Sequence, residues 1–372
     1  MTNKKASLEG QKKRNTFILN IILLIICTAW VVPTIGLLVS SFRTRDAINT
    51  SGWWNILPHQ AWVKTRTFDA PTGTAADAPI TIEGTTATFE QFRDGVVAPD
   101  GKRIKWEGNR RLGTIQIEEQ RWTMDTNFTT ANYERVLAST DARIKETLPS
   151  GEVVENPGED IGPAFINTLT VAVPATIIPI LIAAFAAYAF SWMNFPGRKL
   201  LFAGVVALLV VPLQTAMIPM LRDFVGLQIN GTFLAVWLAH TTFGLPLATY
   251  LLYNYISQLP RETLEAAFID GASHFTTFMR LILPLSVPAL ASFAIFQFIW
   301  VWNDYLVGLI FLGGAPSVRI ITQRLVDMVG TRGQDWQLLT AGAFISMLLP
   351  MIVFLSLQRF FVRGLLAGSV KG

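Results

Sequence analysis

Runs of about 20 mostly apolar residues recur six times along the chain, each long enough to carry a helix across ~30 Å of hydrocarbon. They lie at approximately Phe17 to Ser40, Asn167 to Ser191, Leu200 to Leu221, Thr232 to Ile256, Pro288 to Phe311 and Leu338 to Phe361. Each predicts a transmembrane helix. Between the first and second runs the pattern changes: Phe42 to Ile161 is too long and polar for a connecting turn. It alternates with period two in Ile80-Thr81-Ile82-Glu83 and in Thr114-Ile115-Gln116-Ile117-Glu118, as half-buried strands do. Pro71-Thr72-Gly73 and Pro99-Asp100-Gly101 supply turn residues between such strands.

The expected fold is an all-α polytopic membrane protein of six transmembrane helices, with a small β-rich extracytoplasmic insertion between helices 1 and 2. It divides into an N-terminus and first helix (1–40), an outer loop with the inserted domain (41–160), a core of five helices (161–362) and a tail (363–372). Lys12, Lys13 and Arg14 precede the first run as they would in a signal peptide, but that run exceeds the roughly 7–15 residues of a signal h-region. No A-x-A site follows it. A retained anchor is expected.

Composition supports the same class. Of 372 residues 51% are hydrophobic and 15% charged, against the roughly 25% charge of a soluble domain, and the mean hydropathy is +0.41. Disorder is excluded and an ordinary cytosolic enzyme disfavoured. A net charge of +4 gives a nucleic-acid partner little weight. The single Cys27 excludes an intrachain disulfide or a cysteine metal cluster, and three histidines disfavour a histidine-rich site. Five bases before the first run (Lys4, Lys5, Lys12, Lys13, Arg14) face two after it (Arg43, Arg45), so the N-terminus is expected inside. An even number of spans then leaves both termini cytoplasmic.

The segment between the fourth and fifth runs, 257–284, carries two short helices in its sequence. Pro260 suits a first helical position, Glu262 complements the positive end of the backbone dipole, and Leu264, Ala267 and Phe268 share a face. Gly271 is a stop; Ser273 caps a second helix that Pro284 is expected to end. Small side chains at Ala266, Ala267, Gly271 and Ala272 would let another protein's backbone approach closely.

Glu265-Ala266-Ala267, three residues, Gly271, nine residues and Leu281-Ile282-Leu283-Pro284 resemble the EAA loop of ABC importer transmembrane subunits of type I. Isoleucine usually stands where this chain has Leu281. Asp270-Gly271-Ala272, Trp302-Asn303 and Phe361-Val362-Arg363-Gly364-Leu365-Leu366-Ala367-Gly368 are similar to carbohydrate permeases resembling the smaller membrane subunit of the maltose importer. The resemblance covers 15–55 and 125–372. The insertion at about 60–120, following Ile48-Asn49-Thr50-Ser51-Gly52-Trp53-Trp54, is similar to the α-glucoside permease subgroup.

The resemblance implies a binding-protein-dependent importer of sugars in a bacterial or archaeal cell (inner) membrane, with labour divided among subunits. Glu265, Ala266, Ala267, Asp270 and Gly271 would couple to a cytoplasmic ABC ATPase dimer, and the tail at Arg363 and Gly364 would reach it too. A second, larger permease would complete the pathway in the bilayer, and an extracytoplasmic sugar-binding protein would deliver substrate. The chain has no G-x-x-x-x-G-K-[ST] loop, so it is expected to bind no cofactor and to be no enzyme; ATP and Mg would be used by the partner.

Candidate substrate-pathway residues are Gln214, His240, Trp302, Asn303 and Asp304. An ionisable side chain inside a span, such as His240, marks function or a histidine satisfied within the bundle. Trp302, Asn303 and Asp304 offer an aromatic, amide and carboxylate as a sugar platform, or an interfacial anchor. Prolines 174, 179, 212, 219 and 246 read as working kinks or as tolerated ones. No catalytic or metal-binding set is found. An importer of a non-sugar solute remains open, as does a passive channel. A secondary transporter is disfavoured because no Asp or Glu lies mid-span, and an intramembrane enzyme because H-E-x-x-H and G-x-S-x-G are absent.

Overall fold

The computed structural model describes residues 2–71, 78–110, 113–141, 143–147, 153–328 and 335–367. The chain separates into two compact units, Asp46–Phe128 and the combination of Met1–Arg45 with Thr129–Gly372.

The Asp46–Phe128 unit is built on a four-stranded antiparallel sheet ordered His59–Asp69, Thr114–Thr123, Arg103–Glu107, Val96–Val97. Alternation along Arg103–Glu107 turns Ile104 and Trp106 inward, where they pair with Ile117 and Ile115. Phe92 completes this core from the helix Phe89–Asp94, which Thr88 and Gln91 start with a reciprocal capping box. The Pro99-Asp100-Gly101 turn is present, with the Gly101 amide donating to Ala98 O at 2.9 Å. Of the other expected turn, Thr72 and Gly73 lie outside the described residues. Sequence reading missed a hairpin: Glu83 and Gly84, both at positive φ, join Ile80–Ile82 to Thr85–Ala87 in two residues. It also missed the 11-residue strand His59–Asp69, most of whose side chains point outward, so no apolar alternation announces it.

The other unit is helical. Four helices are long and apolar enough to span a bilayer: Lys12–Ser41, Ile161–Trp192, Phe233–Ile256 and Trp336–Phe360. Two further bent pairs bring the number to six if each pair is one span. The third run, Leu200 to Leu221, is one of these bent pairs, so at Pro212 the kink is real. Arg198–Val210 and Leu213–Gly226 meet at 104°. Pro212 has no N–H to donate, and Val211 before it takes the extended conformation (φ −72°, ψ 120°) that proline imposes on its predecessor. The expected fifth span ends early, at Trp302, and Leu306–Phe311 is a separate short helix. Its N-terminal side bends by 70° between Leu285 and Val287.

Ile161–Trp192 and Phe233–Ile256 form the centre. Ala172, Ala175, Ala183, Ala184 and Ala187 on one and Ala235, Ala239, Gly244 and Ala248 on the other are all buried. Such a run of small residues lets two backbones approach closely and gain dispersion along the whole contact. The first helix is held at its end by Asn132, whose Nδ2 donates to Ser41 O and Arg43 O, both at 2.9 Å.

Trp106→Ala should cost the β unit about 3–5 kcal/mol, because it empties a site that is 1% exposed. Limited proteolysis of the purified chain should then cut within Asp46–Phe128 much faster than in the wild type; an unchanged cleavage rate would contradict the core assignment.

Candidate functional site: a surface loop and a buried polar pair

The 257–284 segment begins with the helix Arg261–Ile269, for which Pro260 is the cap rather than the first helical residue. Gly271 stops it in the left-handed region (φ +80°), where a side chain would strain the backbone. The Ser273 hydroxyl accepts from the Thr276 amide at 3.2 Å and starts His274–Thr277. Pro284 does not end this second helix. The chain passes instead through a wide π-turn, Phe278–Ile282, and continues to Leu285. There the Leu283 amide donates to Phe278 O, five residues back, so the ring of Pro284 escapes the clash it would meet in an ordinary α-turn.

One side of the loop is anchored. Leu264 is fully buried among Tyr188, Ile256, Phe278 and Ile282. Phe278 stacks on Phe185 with ring centroids 4.4 Å apart, and the Tyr188 hydroxyl lies 2.8 Å from His274 Nδ1. The opposite side is bare. Glu265, Ala266, Asp270 and Gly271 are exposed and Ala267 is half-buried, while Ile269 is 85% and Phe275 66% exposed. Ile269, Phe275, Tyr188 and His274 were not singled out from sequence. Two neighbouring apolar residues, Phe268 and Ile269, which one helix cannot point in the same direction, were the available signal.

The pathway candidates separate into two groups. His240 and Asp304 come together: their side chains are 1% and 12% exposed, with His240 Nε2 3.6 Å from Asp304 Oδ2. Asp304 also accepts from the amides of Leu306 (2.9 Å) and Val307 (3.2 Å), capping the short helix that follows the fifth span. Trp302 is buried and packs edge-on against Phe165 and stacked on Phe298; its indole N–H donates to Ser346 O at 3.0 Å. It is a packing residue, so the expected aromatic platform of Trp302, Asn303 and Asp304 does not form. Asn303 is exposed and donates back to Ile299 O, and Gln214 is exposed on the helix after Pro212. The surroundings of Arg363 and Gly364 are not among those described.

Four helices long and apolar enough to span a bilayer, or six if each bent pair is one span, together with an exposed loop anchored on them, fit an integral membrane component, and comparison with known proteins gives its class. The family described as binding-protein-dependent transport system inner membrane component matches residues 164–366. The osmoprotective compounds uptake permease protein GgtD of Synechocystis is 46% identical over 95% of this chain and 91% of its own length. The alpha-glucoside transport system permease protein AglG of Rhizobium meliloti is 45% identical over 96% of this chain and 97% of its own. A crystallised bacterial ABC transporter for import of the acidic polysaccharide alginate has a chain of the same fold (TM-score 0.59, 16% identity, 94% of this chain and 97% of that one). The chain belongs to the binding-protein-dependent transport system inner membrane components. It is a multi-pass ABC importer permease subunit and not itself an enzyme.

Leu264→Ala should destabilise the purified chain by about 2–5 kcal/mol, whereas Ile269→Ala, at an exposed position, should change stability by about 0.5 kcal/mol or less. Thermal melting in detergent separates the two; equal effects would deny that the loop has one anchored and one bare side.

Proposed function

We propose that this chain forms half of the translocation pathway of an importer for neutral sugars, an α-glucoside or oligosaccharide, and that 257–284 is its coupling loop to an ATPase supplied in trans. The observation that carries the coupling role is the asymmetry of that loop. An isolated protein gains nothing from holding Ile269 and Phe275 in water beside a rigid, buried anchor. A partner cleft that covers them gains apolar burial, and Glu265 and Asp270 at its rim add charge complementarity. Gly271 sets the angle between the two helices that such a cleft receives.

The sugar assignment draws on the relative named for alpha-glucoside transport, which aligns along nearly the whole chain. The relative named for osmoprotective compounds favours a second reading, a small compatible solute. Both readings share the rest of the assembly: a cytoplasmic ABC ATPase dimer using ATP and Mg, a second and larger permease, an extracytoplasmic binding protein, and both termini in the cytoplasm. The Asp46–Phe128 unit would then lie on the outer side.

Uptake of labelled maltose, sucrose and trehalose by cells with and without the gene tests the substrate class; uptake that does not depend on the gene would refute it. Gly271→Val forces a β-branched residue to φ +80°, at a cost of about 1–2 kcal/mol. It should abolish uptake and weaken copurification of the ATPase while the chain still inserts. Ile269→Glu should also reduce copurification by about tenfold or more, as truncation of an interface hot spot does. Wild-type copurification of both variants would remove the coupling role.

A further inference from the structure

The longest strand pair of the β unit outruns its own sheet. Arg103–Glu107 pairs only with Thr114–Glu118, so beyond Glu118 the strands His59–Asp69 and Thr114–Thr123 continue as a two-stranded ribbon. Residues opposite each other in the register share a face, and every second residue along a strand returns to it. One face of the ribbon therefore carries, moving away from the sheet, Lys64 opposite Glu118, Trp62 opposite Gln120, and Gln60 opposite Trp122. Past the last pair, His59 with Thr123, the chain bears Leu57 and Trp54 on one segment and Met124 on the other. The two segments stay joined there, the Asp125 amide donating to Asn55 O at 2.8 Å.

Polarity falls along this face. At the sheet end Arg103 pairs with Glu118 at 2.6 Å and lies over the Trp62 ring, 5.1 Å from its centroid. Carboxamides and indoles alternate in the middle. At the far end Trp54, Leu57, Trp122 and Met124 are each more than half exposed. Arg121, beside Trp122, belongs to the opposite face and pairs with Glu119 at 2.7 Å, and Asp125 is half-buried. Water gives so much clustered apolar surface no return. Charge, then indole and amide, then aliphatic side chain is the order met on entering a bilayer, and tryptophan, with an apolar ring and one N–H, favours the headgroup level between water and acyl chains.

The apolar end is also the end from which the chain returns to a span. The Thr129 amide donates to Phe42 O at 2.7 Å, and Phe42 directly follows the span Lys12–Ser41. Trp122 stands seven residues before Thr129, a tether of at most about 25 Å. A protein or a saccharide could also cover exposed indoles, but neither calls for polarity that declines toward the membrane-bound end of the chain.

We propose that this end of the ribbon rests on the bilayer, at the leaflet where the first span ends, with Trp54 and Trp122 at headgroup level and Leu57 and Met124 reaching the upper acyl chains. The proposal needs the multi-pass membrane assignment and neither the substrate nor the coupling role.

The test uses the full-length chain in phosphatidylcholine nanodiscs, alone and within the complete importer. Cys27→Ala removes the native thiol, and Met124→Cys or Val97→Cys carries a fluorophore; both new positions are exposed, Val97 on the opposite edge strand of the sheet. Phospholipid bearing a nitroxide near the top of its acyl chain should quench the label at 124 about threefold or more strongly than the label at 97, in both preparations, with aqueous iodide showing the reverse order. Replacing both indoles, Trp54→Gln with Trp122→Gln, should cut lipid quenching at 124 to about half or less. Equal lipid quenching at the two positions, a label at 124 open to iodide, quenching unchanged by the double substitution, or protection that appears only when the partner subunits are present would each overturn the lipid contact.

Discussion

Close approach of two helices is the contact on which the rest of this bundle depends. Between Ile161–Trp192 and Phe233–Ile256 the buried positions are alanine and glycine over most of both lengths. In a bilayer the hydrophobic effect does not press helices together, so association rests on dispersion and on interhelical hydrogen bonds, both of which need short distances. The seam supplies that distance. It also continues through both buried clusters of the helical unit, one around Trp302 and Phe311 and the other around Leu264 and Phe278. Trp237 and Trp192 fasten it further: their indole N–H groups donate to Thr170 O at 2.8 Å and Ile256 O at 3.2 Å.

This continuity joins the exposed loop to the interior. Leu264 and Phe278 share a cluster with Ala183, Ala187, Ala248 and Leu252. Interiors packed to crystal-like density transmit strain, so a force on the bare face carrying Ile269 and Phe275 cannot be absorbed within the loop. The Tyr188–His274 contact adds a polar tie to the same anchor. The His240–Asp304 pair and the Gln297 amide lie further along the same two helices and their neighbour, and the small residues that close the seam there also admit the amide.

Much of the helical unit was legible because a span must be long and apolar, and hydropathy records that property directly. What hydropathy does not record is where a long apolar run breaks. Pro174, Pro179, Pro219 and Pro246 all sit inside continuous helices, whereas Pro212 turns the chain by 104°. Pro179 and Pro246 are buried, so packing holds those segments in line, whereas Val210 and Val211 beside Pro212 are exposed. The loop's helix starts and its glycine stop were readable from capping chemistry, but its bare apolar residues were not distinguished from core ones, since sequence alone does not say which side is covered. Trp302 misled for the same reason. An aromatic beside Asn303 and Asp304 looks like a ligand platform, yet one peptide unit separates a fully buried ring from an exposed amide. Gln297 offered one local signal, a lone amide in an apolar run, but its neighbours Gly244 and Ala175 lie on two other helices and could not be read from the sequence.

The wide turn at Phe278–Ile282 inserts a surplus residue immediately ahead of Pro284. Each residue advances a helix by about 100°, so the surplus residue sets the direction in which the chain leaves this turn, ahead of the 70° bend between Leu285 and Val287. The over-wide coil thus lets the chain run through Pro284 to Leu285 without a break, and the change of direction into the following span comes only after it.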